Sequence, residues 1–399
     1  MDVTDIDWLR STAGGEAIAR ADDLLAAMEE LPAQRRLGEA YGRPHARALV
    51  ALVEGRKIAA AKFADAPALF CDRESAQQAS SEVVARHTAA RFAAFGRVAD
   101  LGCGFGGDTL ALAEHTRVVA VDRDPVRLAM LEANAELRGR SARIESHEAE
   151  IEQWQAASDE GGAADEPVEA VWIDPSRRDT RGRRFDPEQW SPPLSVALRV
   201  AAGYGAAGIK LAPGIDLDAL PDGEVEFISL DGRLVEAVLW LGSLAGVPRR
   251  ATVLPAGESL AGEPDSAATA VGDPTHFFYD PDPAVGRASL IDVLAERLDA
   301  HKLSEQVAYL IADQRISTPF ARRFRILAWL PFSERRLYEQ LQAMGASRVE
   351  VMRRASPVDT NALERRLNEA LAGGDDVMTV ALTLLGQQRV ALILERERD

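Results

Sequence analysis

The sequence predicts an α/β fold: a doubly wound parallel sheet, preceded by a helical region and followed by a small α+β domain. Three observations predict it. From residue 97 onward, apolar runs of strand length alternate with helix-length segments, the order that a parallel sheet with crossover helices requires. Residues 1–95 are alanine-rich, with apolar residues at three-to-four spacing and no strand-like alternation. From residue 324 a second βαβ pattern starts, after a stretch rich in Gly, Pro, Ala and acids.

Each element can be justified in turn. In the N-terminal region, Gly42-Arg43-Pro44 and Ala66-Pro67 break the helical pattern into several short helices. Strands are expected at Arg97–Leu101, Arg117–Val121, Ala142–Ser146, Ala170–Ile173 and Gly208–Leu211. Helices are expected near 107–115, 125–138 and 189–203. Three more strands follow at Val225–Leu230, Leu234–Leu241 and Ala251–Leu254, the first two joined as a hairpin through Asp231-Gly232. Residues 255–275 read as a linker or long loop, and 286–299 as a helix. Then FRILAWLPF reads as strand, SERRLYEQLQAMGA as helix and SRVEVMRR as strand. A helix over 359–372 and two strands joined near Gly386-Gln387-Gln388 complete a ferredoxin-like α+β pattern. With 399 residues, several domains are expected. The division is a helical region over 1–75, the sheet core over 76–255, a connector over 256–322 and the α+β domain over 323–399.

Composition excludes several classes. No apolar run approaches the roughly 20 residues that cross a bilayer, so no membrane partner is expected. The start MDVTDIDWLR lacks the apolar stretch of a signal peptide, and two cysteines are too few for a disulfide framework, which fits a cytoplasmic protein. Six histidines without cysteine pairs give no metal-ligand pattern. The net charge of −17 argues against indiscriminate binding to nucleic acid. Locally the sign reverses: residues 177–184 read RRDTRGRR, five arginines in eight positions. The stretch DEGGAADEPVE (159–169) reads as an acidic solvated loop.

The chemistry is concentrated in RVADLGCGFGGDTLALA, a strand, a glycine-rich turn and a helix. Glycines let the main chain approach a ligand, and the helix N-terminus adds free N–H groups and partial positive charge. Gly102, Gly104 and Gly107 also satisfy the spacing of dinucleotide-binding loops. Asp100 argues against that reading, because a carboxylate at the strand end faces a cationic amino acid well and a pyrophosphate badly. Asp122 ends the next strand, where it can accept both hydroxyls of a ribose. Together they point to S-adenosylmethionine as cofactor. Glu148, at the end of the third strand, is placed to accept from the adenine amino group, with Ala149 bordering the ring.

The stretch ASSEVVARHTAARF, the glycine turn and VVAVDRDPVRLAMLEANAELRG resemble the core of trimethylguanosine-synthase-like methyltransferases. With KFADAP, DPSRR, GIKLAPGID and FYDPDPAVGRASL, the sequence is similar to bacterial class I methyltransferases that carry a C-terminal THUMP-like domain. The resemblance runs from about residue 60 to the C-terminus. It implies a Rossmann-like methyltransferase sheet, an RNA-directed activity and an RNA-recognition role for the C-terminal domain. It also implies that Gln78, Ser80, Ser81 and Glu82 lie near the methionine end of the cofactor, the serines being equally readable as helix caps. The cofactor-binding set expected is then Glu82, Asp100, Gly102, Cys103, Gly104, Gly106, Asp122, Arg123, Glu148 and Ala149.

In amino-group methyltransferases the fourth strand ends in an acid or amide, two prolines and an aromatic. Here Asp174 and Pro175 match the first two positions, and they are the catalytic candidates. An exocyclic amine must point its nitrogen at the sulfonium methyl, and a carboxylate with a backbone carbonyl can hold its two N–H groups. Ser176 and Arg177 depart from the pattern and remove the stacking platform. Arg177, Arg178 and Arg181 are substrate-binding candidates, since a guanidinium stacks on bases and pairs with phosphate. Lys210, near the end of the fifth strand, is a further substrate-binding candidate or an edge lysine. The leading reading is N-methylation of a nucleobase amine in RNA. A methyltransferase of small molecules or proteins, and a silent RNA-binding protein that keeps the cofactor fold, are the alternatives. The oligomeric state is left open.

Overall fold

The structure is a computed structural model that describes residues 1–399 except 155–166, 177, 180, 181, 184, 185, 265–267, 372, 375, 398 and 399; for 178, 179, 182 and 183 it describes the backbone alone. The chain divides into two units, residues 1–223 with 236–246, and residues 224–235 with 247–399.

The first unit begins with helices α1 (Val3–Arg10), α2 (Thr12–Ala27), α3 (Glu30–Tyr41), α4 (Arg43–Ala59), α5 (Arg73–Gln78) and α6 (Glu82–Ala90). Local chemistry starts them. Asp2 and Asp72 each form a capping box, Ser11 caps α2, and Pro44 sits in the first turn of α4. Their apolar stripes bury Ile6, Leu9, Leu37, Leu49 and Leu52, each stabilising by roughly 1.5–3 kcal/mol. Phe105 and Met130 belong to the same cluster, although they come from the glycine turn and a later helix.

The α/β part continues with β1 (Arg97–Leu101), α7 (Gly107–Leu112), β2 (Arg117–Asp122), α8 (Pro125–Leu137), β3 (Ile144–Glu148) and β4 (Ala170–Ile173). A two-residue ribbon, β5 (Arg178–Asp179) with β6 (Gly182–Arg183), precedes α9 (Leu194–Ala201) and β7 (Ala206–Leu211). In this unit the strands run in the order β9-β7-β4-β1-β2-β3, where β9 (Arg233–Gly242) contributes from Glu236 onward. β1, β2, β3, β4 and β7 are parallel, and β9 is antiparallel to β7. Strand ends therefore gather at one carboxyl edge, the place where doubly wound sheets bind ligands. Because β9 runs the other way, its beginning reaches that edge, with Ala237 opposite Leu211.

Two elements differ from the sequence expectation. β3 starts at Ile144 rather than Ala142, because Ser141–Arg143 form a 3-10 turn after the left-handed Gly139 closes α8. The helix expected from 189 starts only at Leu194, since Pro192 and Pro193 delay it.

The second unit holds β8 (Glu224–Leu230), β10 (Arg249–Leu254), β11 (Glu258–Gly262), β12 (Phe277–Pro281), α10 (Pro283–Arg287), α11 (Ile291–Arg297), β13 (His301–Lys302) and β14 (Leu310–Ala312). It ends with β15 (Ala321–Pro331), α12 (Glu334–Ala343), β16 (Arg348–Arg353), α13 (Thr360–Ala370), β17 (Val377–Leu385) and β18 (Gln388–Arg396). After β8, Asp231 and Gly232 both take positive φ, 51° and 72°, as a type I′ turn does. β11 lies inside the stretch expected to be linker; Gly257, at φ 72°, turns the chain so that Leu260 is buried beside β10. The helix expected over 286–299 is split in two by Ser289, at φ 57°. α10 packs on β8 and β10 within this unit.

The C-terminal sheet has the order β13-β14-β12-β15-β18-β17-β16. One face buries Leu337, Leu341, Leu363 and Leu367 from α12 and α13, and the other buries Phe278, Tyr309 and Phe324. From β15 on, the elements run βαβαββ in place of the ferredoxin order βαββαβ, with the two-layer α+β build retained. Phe278 and Tyr279 of the aromatic stretch HFFYDPDP are core residues of β12.

Candidate active site

The glycine turn is held open by its own backbone. Gly102 sits at φ 89°, and a Cβ there would stand 2.8 Å from the Asp174 carbonyl oxygen. Gly106 sits at φ 101°, where a Cβ would run into Leu131 of α8. The first glycine lets the turn lie close to the end of β4, and the second lets a helix close underneath it. Asn134 of α8, fully buried, donates to the carbonyls of Phe70 (2.9 Å) and Phe105 (3.0 Å) and accepts from the Phe70 N–H (2.7 Å). It ties the turn to the helical arm.

A cleft of about 370 Å³ opens above this turn. From the turn come Gly102, Cys103, Gly104, Phe105, Gly107 and Asp108; from β2 and the start of α8, Asp122, Arg123, Asp124 and Arg127. Ala149 to Glu152 form the wall after β3, and Asp174, Pro175 and Ser176 the wall after β4. The fourth wall is the end of α5, with Glu74, Gln77, Gln78 and Ala79. Lys62 fixes that end by donating to the carbonyls of Ala76, Gln77 and Ala79 at 2.6–2.9 Å.

Buried acids surround the base of the cleft. Asp100 is 1% exposed; its Oδ2 accepts from Thr109 Oγ1 at 2.5 Å, and its Oδ1 has no protein partner. Burial, reinforced by the Asp108 carboxylate, pushes its pKa well above the ordinary carboxylate range. Asp108 Oδ1 and Glu236 Oε1 are likewise buried without a protein partner. Among these acids sits Lys210, whose Nζ donates to Asp174 Oδ2 at 2.7 Å and to Asp108 Oδ2 at 3.4 Å. Burial holds the Cys103 thiol well above its usual range, so it stays a neutral wall residue.

Of the residues singled out in the sequence, Gly102, Cys103, Gly104, Asp122, Arg123, Ala149, Asp174 and Pro175 line one cleft, and Asp100 lies under it. Asp122 is tied into the turn, its oxygens accepting from the N–H groups of Gly104 (2.9 Å) and Asp124 (3.0 Å). Others are elsewhere. Glu82 points away from the cleft, toward Arg86 at 3.1 Å and Arg138 at 3.6 Å. Gly106 packs on Leu131, and Glu148 is exposed at the end of β3 outside the cleft wall. Lys210 is 2% exposed and stands behind Asp174 rather than in the cleft. Arg177 and Arg181 lie outside the described residues, as does the side chain of Arg178. Sequence reasoning missed Asp108 and Glu236. The first follows the glycines directly, and the second is an acid inside the apolar run LVEAVLWL, a signal that was available.

Known proteins bear on this geometry. Residues 98–172 match a family described as methyltransferase domain, and residues 321–396 match the THUMP domain-like family. Two uncharacterized S-adenosylmethionine-dependent methyltransferases of Mycobacterium tuberculosis are each 36% identical over 327 residues, 80% of this chain and 85% of theirs. A solved structure from Porphyromonas gingivalis, provisionally named a methyltransferase, aligns with a TM-score of 0.71 at 19% identity. It covers 89% of this chain and 92% of that one, which shows a shared fold. The chain therefore belongs to the S-adenosylmethionine-dependent methyltransferases. It is an enzyme of that class, it takes S-adenosylmethionine as cofactor, and it carries a THUMP-like domain at its C-terminus. Among the described residues, no helix is long and apolar enough to cross a membrane, and no group of three His, Cys, Asp or Glu is set to hold a metal ion.

Proposed function

We propose that the protein N-methylates an exocyclic amine of a nucleobase in RNA. One observation carries the reading: Asp174 and Pro175, at the end of β4, share a cleft with the glycine turn. The cleft suits the cofactor. Its turn is shaped by missing side chains, and its base holds buried carboxylate oxygens of Asp100 and Asp108 with no protein partner, a setting for a cationic amino acid. In this reading Gly102, Gly104 and Asp108 hold the methionine end, Asp122 the ribose, and Ala149 and Ile151 border the adenine. When bound, S-adenosylmethionine supplies an electrophilic methyl group on a sulfonium. Asp174 accepts an N–H of the amine and orients its nitrogen, which lowers the barrier through positioning.

A second reading has its own support. Among the described residues, seven carboxylates line the cleft (Glu74, Asp108, Asp122, Asp124, Glu150, Glu152, Asp174) against two guanidiniums, Arg123 and Arg127. That charge favours a cationic or neutral amine of a small molecule or protein over a phosphate. Incubation with tritiated S-adenosylmethionine and total RNA from a strain deleted for the gene separates the two. Label in one modified nucleoside is the expected result, and label confined to protein or metabolite fractions overturns the RNA reading.

The arginine run gives a finer test. Replacing Arg181, Arg183 and Arg184 with Ala should weaken RNA binding and flatten its salt dependence, with cofactor affinity unchanged. Filter binding across a salt series checks it; an unchanged slope means these arginines do not meet phosphate.

A further inference from the structure

We propose that Lys210 is a positioning residue for methyl transfer: its buried ammonium fixes the orientation of the Asp174 carboxylate and balances its charge, while Glu236 braces Lys210 from behind. The proposal rests on the reading of Asp174 as the group that meets the acceptor amine. Lys210 lies near the end of β7, with Asp174 just past the end of neighbouring β4 and Glu236 near the start of antiparallel β9. Its side chain is 2% exposed, and Nζ lies 2.7 Å from Asp174 Oδ2, 3.4 Å from Asp108 Oδ2 and 3.9 Å from Glu236 Oε2. Glu236 Oε2 also accepts from Ser80 Oγ at 2.5 Å, so the bracing acid is anchored to the segment ahead of α6. One ammonium thus joins the cofactor turn, the reacting edge and the pre-sheet arm.

The charge arrangement explains the need for it. Among the described residues, the ionisable groups around Asp174 include Asp100 from β1, Asp108 from α7, Glu236 from β9 and Lys210 from β7. Removing Lys210 takes away the cation that meets Asp108, Asp174 and Glu236 within 4 Å and leaves their like charges facing one another. Burial and like charge both favour the protonated acid. A protonated Asp174 would present a donor where the amine N–H needs an acceptor. Burial alone would strip the proton from Lys210, but Asp108, Asp174 and Glu236 together outweigh it and hold the ammonium's pKa above its ordinary value. Burial carries the Glu236 carboxyl up to about 7 against the pull of Lys210.

The test uses the full-length protein, tritiated S-adenosylmethionine and total RNA from the deletion strain, from about pH 5 to pH 9. Lys210→Met is expected to lose about 100-fold or more in transfer at neutral pH, with cofactor affinity within about threefold. The acid limb of its rate profile should move up by about 1–3 pH units, so that activity partly returns in alkali. Lys210→Arg restores a cation and should bring the limb back. Glu236→Gln removes a carboxylate and should move the limb the other way, which serves if Lys210→Met does not fold. Melting supplies a readout that needs no acceptor. Carboxylates whose folded pKa is raised lose stability as pH rises through that value, so the melting deficit of Lys210→Met should widen toward alkaline pH. A loss of transfer that is uniform in pH, or a deficit in melting that is constant with pH, overturns the proposal. Wild-type transfer by Asp174→Asn overturns the reading of the reacting edge instead.

Discussion

In the Asp174→Asn variant, methyl transfer falls by about two to four orders of magnitude, while S-adenosylmethionine binds with nearly unchanged affinity. The separation follows from position. Asp174 lies on the wall after β4, facing the space above the turn, while its Oδ2 is held by Lys210 at 2.7 Å. Asparagine keeps the shape and one acceptor oxygen but turns the other into a donor, so either Lys210 or the amine meets an N–H in place of an acceptor. Single-turnover transfer of tritium to total RNA, with calorimetry for the cofactor, measures the two effects apart. A variant that transfers normally places the chemistry at another residue.

Cofactor affinity should respond at Asp122 in the opposite way. Asp122→Ala removes the acceptor proposed for the ribose, and it also releases the N–H groups of Gly104 and Asp124 that now converge on one carboxylate. The expected loss is about 1–3 kcal/mol in S-adenosylmethionine binding, roughly 5- to 150-fold in Kd. Glu148→Gln is the control: Glu148 is exposed and outside the cleft wall, so its Kd should change less than about threefold. Equal losses in both variants would return Glu148 to the adenine site, and no loss in a folded Asp122→Ala would remove Asp122 from the ribose site.

Much of this site was legible because it is local. The strand, turn and helix around Gly102 are contiguous, and so are Asp122 and Asp174 with the strands that they end, so pattern and register put them at one edge. Long-range partners were not legible. Lys210 reads as a substrate-binding residue or an edge lysine until β9, antiparallel and distant in sequence, brings Glu236 beside it. Glu148 was placed just past a strand read as Ala142–Ser146, whereas the strand runs on to Glu148 and the wall begins at Ala149. Glu82 follows a serine at a helix start as expected, but Arg86 and Arg138 claim its carboxylate.

Phe105 of the glycine turn packs edge-on against Phe63, with ring centroids 5.7 Å apart, and is buried among the N-terminal helices. Asn134 secures the same junction from α8. The first helices and the cofactor turn are consequently one cooperative unit: the turn cannot keep its shape after the arm detaches, and the arm loses its keystone when the turn opens. Ligand linkage then reaches the far end of the arm, since every increment of stability that the bound cofactor confers on the turn, RT ln(1 + [L]/Kd), also opposes local opening of α1 to α4. A segment that contributes no atom to the cleft is thus held shut by what the cleft contains.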